Sequence, residues 1–238
     1  MTRQIRSLAA TTAAALAFAF FGGLSMNAEA AIMAYICEFS DCSGPNVMIV
    51  TDNMPGDLNP LPGVIQETFT FGGFTVTTNT AFSKPEVGDA TSPVLDINFS
   101  ASGTGTVYMY ASDTDFTGVV SMMTGTVDGN STGGNPNIEV GVFGANNNIN
   151  PVAGGTPGPT LCVSPVVSGT PFHTGCTTGP IGTSPNPYQL TIGLFIQNTS
   201  KGLTTGDFDT HVPEPGTLLL VGLGLLGMAG GMRRRRTD

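Results

Sequence analysis

The chain is predicted to fold as an all-β, antiparallel β-sandwich of jelly-roll or immunoglobulin-like type, flanked by an N-terminal signal peptide and a single C-terminal transmembrane helix. Two observations carry the sandwich. Apolar residues recur with a period of two through the body, and the breaks between such runs are filled with Gly, Asn and Pro. A third observation carries the flanks: an apolar run follows Arg3 and Arg6 at the start, and another precedes four arginines at the end. No window of the body sustains a 3.6-residue period, so no long helix is expected there.

Residues 1–30 read as a signal peptide, with Arg3 and Arg6 as the basic front, residues 8–21 as the apolar centre, and Ala28-Glu29-Ala30 as an A-x-A cleavage site. Ala31 then begins the mature chain. No Arg-Arg pair is present at this end, which favours the general secretion route and signal peptidase. A single domain is expected over residues 31–200, followed by a polar linker at 201–212. Of the 17 Asp and Glu, all but Glu29, Glu214 and Asp238 fall between the two flanks, so 14 carboxylates face only Lys84 and Lys201, a formal charge of 2 − 14 = −12. Nucleic acid is excluded as a partner by that balance, since each phosphate would lack a neutralising cation.

Strands are expected at 47–51, 65–71, 74–80, 95–101, 106–111, 119–126, 138–143 and 188–197. The last is the clearest: Tyr188, Leu190, Ile192, Leu194 and Ile196 alternate with Gln189, Thr191, Gly193, Phe195 and Gln197. Leu95, Ile97, Phe99 and Ala101 alternate with polar residues in the same way, and Gly103-Thr104-Gly105 reads as a turn closing a hairpin onto 106–111. Residues 144–187 differ in kind. Eight prolines between Pro151 and Pro187 deny ladder hydrogen bonds, so a long loop with a short stapled ribbon near 160–167 is expected.

Cys37, Cys42, Cys162 and Cys176 lie in the exported part, where disulfides persist. Four cysteines allow three connectivities. Pairing near neighbours, Cys37 with Cys42 and Cys162 with Cys176, closes the shortest loops and is preferred. Neither pair has the C-x-x-C spacing of a zinc site.

Chemical motifs are weak. Gly129-Asn130-Ser131-Thr132-Gly133 fits G-x-S-x-G, but Gly134, Asn135 and Pro136 forbid the helix a nucleophile elbow needs, and a polar loop is expected. His173 is the only histidine of the body away from the tail. Asp52 and Asp57, Asp113 and Asp115, Asp128, and Asp207 and Asp209 offer oxygen ligands for calcium, although turn formation accounts for such residues as well. No catalytic residue and no cofactor is assigned, with calcium the one possible ion. Tyr108 and Tyr110, two apart and therefore on one strand face, are the candidate stacking platform for a carbohydrate; burial of the strand on both faces is the competing reading.

The C-terminal residues Val212-Pro213-Glu214-Pro215, the uncharged run 216–232 and Arg233, Arg234, Arg235 and Arg236 follow one another in that order. The 17 apolar positions make about 25 Å of helix at ~1.5 Å per residue, and snorkelling arginines extend it toward the roughly 30 Å membrane core. The basic tail holds the far end in the cytoplasm, leaving the body outside. Residues 213–238 resemble the PEP-CTERM sorting signal. Thr51-Asp52-Asn53, Gly56-Asp57, Phe74-Thr75-Val76 and Asp113-Thr114-Asp115-Phe116 look similar to PEP-CTERM precursor domains. The resemblance implies recognition by an exosortase-type membrane protease and a precursor held in the inner membrane with its body in the periplasm. It further implies a mature form at the cell surface or in an exopolysaccharide biofilm matrix, and because the residues offer no persuasive catalytic site the body is expected to be non-catalytic. A carbohydrate- or calcium-binding adhesin is the alternative, and a secreted hydrolase the least favoured.

Overall fold

The computed structural model describes residues 32–151, 157–182 and 187–213. The expected signal peptide, with Ala28, Ala30 and Ala31, lies outside them, as do Glu214, Pro215, the apolar run and the four arginines. All described elements are strands: β1 (Met33–Cys37), β2 (Val47–Thr51), β3 (Val64–Phe71), β4 (Phe74–Phe82), β5 (Leu95–Phe116), β6 (Thr124–Thr132), β7 (Pro136–Ala145), β8 (Thr160–Val163), β9 (Val167–Ser168), β10 (Phe172–Thr177) and β11 (Tyr188–His211). Every pairing between them is antiparallel. Among the described residues no helix is long and apolar enough to cross a membrane.

Two long strands organise the rest. β5 and β11 pair with each other from Tyr188–Phe116 to Thr210–Leu95, interrupted by a register shift between Asn198 and Gly202. On one side of that shift, β5 pairs with β4 and β11 with β6, building the sheet β3-β4-β5-β11-β6-β10. On the other side, β5 pairs with β1 and β11 with β7, building β2-β1-β5-β11-β7 with β8 and β9 on its edge. The chain thus makes two sheets that share two strands, and folds them face to face into the expected sandwich. We call them the first and the second sheet.

The bend is made by glycine. Gly103 has φ +143° and Gly105 φ +120°, conformations that L side chains rarely adopt. A Cβ on Gly103 would lie 1.9 Å from the Gly73 carbonyl oxygen, and one on Gly202 would lie 1.9 Å from the Gly134 amide nitrogen. Asn198, buried here, donates to the Gly103 carbonyl at 3.4 Å and accepts from the Thr204 hydroxyl at 2.8 Å. The Gly103-Thr104-Gly105 stretch is therefore a bend inside one strand and not the hairpin turn that its composition signals. The paired strand has to bend at the same place, and a tight turn would have broken the β5–β11 ladder. Residues 201–212 are corrected for the same reason: the expected linker is the second half of β11, paired with β5 as far as Thr210 and with β6 as far as His211.

The core lies between the sheets. Ile97, Phe99 and Ala101 of β5 and Phe208 of β11 face Val107, Met109, Ala111, Leu190, Ile192, Leu194 and Ile196 within one buried cluster. The alternation read in the sequence is this inner face, worth roughly 1.5–3 kcal/mol for each fully buried large side chain. At the end opposite the bend, Lys84 and Asp113 form a buried ion pair at 2.8 Å. The Lys84 ammonium also donates to the Thr114 carbonyl and sits 4.3 Å from the Phe116 ring centroid. This ties the end of β4, in the first sheet, to the far end of β5, in the second.

Both cystines join near neighbours, Cys37 with Cys42 and Cys162 with Cys176. The second links β8, on the edge of the second sheet, to β10, on the edge of the first, and so closes one side of the sandwich. The proline-rich region is accordingly more ordered than a long loop: its described parts supply three strands. The strand expected at 119–126 begins later, at Thr124, because residues 117–123 cross between the sheets. β1 and β10 were not expected: Met33–Cys37 is apolar without alternation, and Phe172–Thr177 lies within the proline-rich region.

Gly103→Ala is expected to lower stability by ~2 kcal/mol or more, since it adds backbone strain to a clash with a carbonyl. Gly179→Ala, where nothing lies within 4 Å of the added methyl, is expected to change it by less than about 0.5 kcal/mol. Urea unfolding of the two variants checks the pair, and equal midpoints would contradict this account of the bend.

Candidate aromatic groove

The register of the second sheet decides which side chains meet on its outer face. Phe195 of β11 stands opposite Tyr108 of β5 on one side and Glu139 of β7 on the other, so the three form a row across the strands. In the next row Tyr110, Gly193 and Gly141 are neighbours, and Tyr35 of β1 extends it. Phe143 follows in the row beyond, opposite Thr191. The two glycines leave room for rings to lie over the backbone: a Cβ on Gly193 would come 2.6 Å from Tyr110, and one on Gly141 2.8 Å from Phe143.

The result is a groove of about 290 Å3 with an aromatic floor, bounded by the Tyr108–Phe195–Glu139 row, by Ser40, and by Gly158, Thr160 and Val163. Tyr110 is fixed. Its hydroxyl donates to the Ser40 carbonyl at 2.8 Å, and its ring stacks on Tyr35 at 4.9 Å and meets Phe143 edge-on at 6.2 Å. The Cys37–Cys42 staple holds the loop that carries Ser40. Tyr108 is only half-buried and lies 5.2 Å from the Phe195 ring. Burial, and then the Glu139 carboxylate, raise its phenol above the usual tyrosine value. The sequence-predicted platform therefore divides: Tyr108 presents a ring to solvent, whereas Tyr110 is 5% exposed and serves as floor. Phe195, Phe143 and Glu139 were not singled out by sequence. Phe195 had a signal, being the one aromatic on the polar face of the 188–197 alternation.

The other sequence candidates are scattered. Asp113 is engaged by Lys84, and Asp115 by Asn148, whose amide donates to it at 2.7 Å. Asp57 shapes a turn by accepting from the amides of Asn53, Asn59 and Gln66, and Asp52 accepts from Gly63. Asp96, Asp207, Asp209 and Asp128 fall at adjacent positions of the first sheet. Burial, reinforced by Asp207, pushes Asp96 up to about 7. Thr126 donates to Asp209 at 2.8 Å, and His173 pairs with Asp128 at 2.6 Å. Among the described residues no group of three or more His, Cys, Asp or Glu is arranged to hold a metal ion. Ser131 of the G-x-S-x-G stretch lies on β6, a strand where a loop was expected, and receives a hydrogen bond from Thr204 at 3.2 Å.

One carboxyl sits in the core itself. Glu67 of β3 is 2% exposed, neither of its oxygens has a hydrogen-bond partner, and it lines the space between the sheets with Ile36, Ile97 and Met109. Burial, with Asp57 adding, raises it to about 7.

Residues 211–236 match the PEP-CTERM protein-sorting motif, so the chain carries the signal of an exosortase substrate. No curated protein matches the chain. Among solved structures it is similar to TmCBM61, determined in complex with β-1,4-galactotriose, at 9% identity over 66% of this chain and 91% of that one, TM-score 0.34. The CBM22-1 xylan-binding domain from Paenibacillus barcinonensis Xyn10C is similar at 11% identity over 62% and 86%, TM-score 0.33. The PA14 sugar-binding domain from an RTX adhesin reaches 8% identity over 76% and 89%, TM-score 0.28.

Glu67 sets a pH dependence. The folded chain holds its proton to higher pH than the unfolded one, so stability is full below about pH 4.5 and declines as pH rises through 7. Asp96 adds a loss of the same sign. The decline is expected to reach about 3 kcal/mol for Glu67 alone, and Glu67→Gln is expected to remove that part. Denaturant midpoints between pH 4.5 and 8.5 provide the check; a wild-type curve that is flat or rises would contradict it.

Proposed function

We propose, for a chain whose C-terminus carries the PEP-CTERM sorting signal, that the β-domain is a non-catalytic, polysaccharide-holding module of the cell surface or biofilm matrix. Secretion delivers it, signal peptidase cuts after Ala30, and the apolar run 216–232 holds the precursor in the inner membrane. An exosortase-type protease then reads Val212, Pro213, Glu214 and Pro215 and removes everything from near Pro213 onward, Arg233 to Arg236 included.

The observation that carries the binding role is the groove. Sugar rings present a flat apolar face edged by hydroxyls, and a floor of rigid aromatic rings beside a carboxylate and a loop carbonyl matches both properties. Tyr110 is held by packing and by its hydrogen bond to Ser40 before any ligand arrives, so little ordering cost opposes binding over the floor.

The fold also constrains processing. Val212 packs against the core cluster immediately after β11, and Val212 to Pro215 span at most about 14 Å when extended. The domain therefore rides close to the membrane when the protease acts, where a free linker would have let it stand clear.

Two measurements on protein from the native host test the proposal. Glu214→Ala with Pro215→Ala is expected to leave a full-length precursor in the membrane fraction, seen by intact mass; unchanged processing would remove the sorting role. Glycan-array binding by the processed protein is expected to fall at least about tenfold on Tyr108→Ala, with melting unchanged. Silence of the wild type on every glycan would remove the binding role and leave a structural one.

A further inference from the structure

Glu139 is the feature of the groove that neutral sugar binding does not explain. It stands at the end of the Tyr108–Phe195 row, half-buried on the wall. The ion pairs among the described residues are Lys84–Asp113, His173–Asp128 and His211–Asp209, and none includes it. No hydrogen bond to its carboxylate is present there either. The two lysines of the body are elsewhere: Lys84 is buried in its own pair, and Lys201 lies at the bend beside Gly133. All arginines lie in the flanks. Its charge is felt inside the groove, where it contributes to the raised phenols of Tyr108 and Tyr110.

A carboxylate without a counter-ion, in one cross-strand row with the Tyr108 and Phe195 rings and on the wall of the same groove, is an arrangement that attracts an ammonium group. The ring faces are electronegative and gain with any cation seated over them. The carboxylate accepts charge-assisted hydrogen bonds, stronger than those to neutral donors. An anionic sugar meets the opposite: repulsion from Glu139 and from a body of charge −12, with no cation to receive its carboxylate or phosphate.

We infer that the groove selects a polysaccharide bearing free, protonated amino groups, such as a de-N-acetylated hexosamine polymer, and that Glu139 is the residue that makes the selection. This deepens the glycan-binding reading above and rests on it. The sugar ring stacks on the Tyr108 and Phe195 side while its ammonium reaches Glu139. A groove of about 290 Å3 is at the low end for ligand sites, so it grips a short stretch of a chain that continues into solvent on both sides.

Calorimetric titration of the processed, exported protein tests it with three probes of equal length: a glucosamine hexamer, the fully N-acetylated hexamer and a galacturonate hexamer. The amino hexamer is expected to bind about tenfold more tightly than the acetylated one, with an advantage that shrinks as salt is raised, and galacturonate is expected not to bind. Glu139→Gln is expected to bring the amino and acetylated hexamers within about twofold, whereas Tyr108→Ala weakens both. An advantage that survives Glu139→Gln, or equal binding of all three probes by the wild type, overturns the inference while leaving the groove as a glycan site. Binding of none of the three overturns the inference; binding of another glycan on the array then keeps the reading beneath it, and silence there removes both.

Discussion

The pairing of β5 with β11 is the constraint on which the other parts of the domain depend. Each strand is long enough to serve two sheets, and each supplies edges on which the remaining strands assemble: β4, β3 and β6, β10 at one half, β1, β2 and β7, β8, β9 at the other. Because the two strands are hydrogen-bonded along their lengths, neither can bend alone. The register shift between Asn198 and Gly202 and the positive φ at Gly103 and Gly105 are two sides of the same corner. Gly73, Gly134 and Gly202 are drawn into it because backbone lies against backbone where side chains would otherwise stand.

Closure of the sandwich relies on other chemistry at each boundary. Cys162–Cys176 joins the two sheets at one edge, through the short strands β8 and β10. At the end away from the bend, Lys84 and Asp113 hold β4 to β5. A buried ion pair of this kind adds little net stability, since desolvation offsets attraction, but losing one partner costs about 3–5 kcal/mol. It therefore fixes how the sheets meet more than how strongly. Glu67, in the same interior without a hydrogen-bond partner, works against stability once ionised.

The groove is a consequence of that frame. With the inner positions of β5, β7 and β11 committed to the core, the opposite positions necessarily form the outer face, and the registers bring Tyr108, Phe195 and Glu139 into one row. Glycine at 141 and 193 turns what would be a flat polar surface into a recess floored by Tyr110 and Phe143. The acidic balance of the domain then acts on what can enter, because no cation in the body is free to neutralise an anion there.

Local chemistry was legible in the sequence. Period-two alternation marked the inner face of β5 and β11, short-loop pairing of the cysteines followed from chain closure, and Pro-Glu-Pro, an apolar run and four arginines declared the sorting signal, because each of these depends on residues near one another in the chain. What Gly103-Thr104-Gly105 does was not legible. A glycine pair between two alternating runs serves equally as a turn or a bend, and the choice is made by β11, about a hundred residues away. The same holds for residues 201–211, polar enough to pass for a linker until pairing with β5 and β6 satisfies their backbone, and for the companions of Tyr108. Spacing placed Tyr108 and Tyr110 on one face of a strand. Only the tertiary registers, set by long-range hydrogen bonding that leaves no local trace, decided that one ring would be floor, the other wall, and that a carboxylate from a third strand would stand beside them.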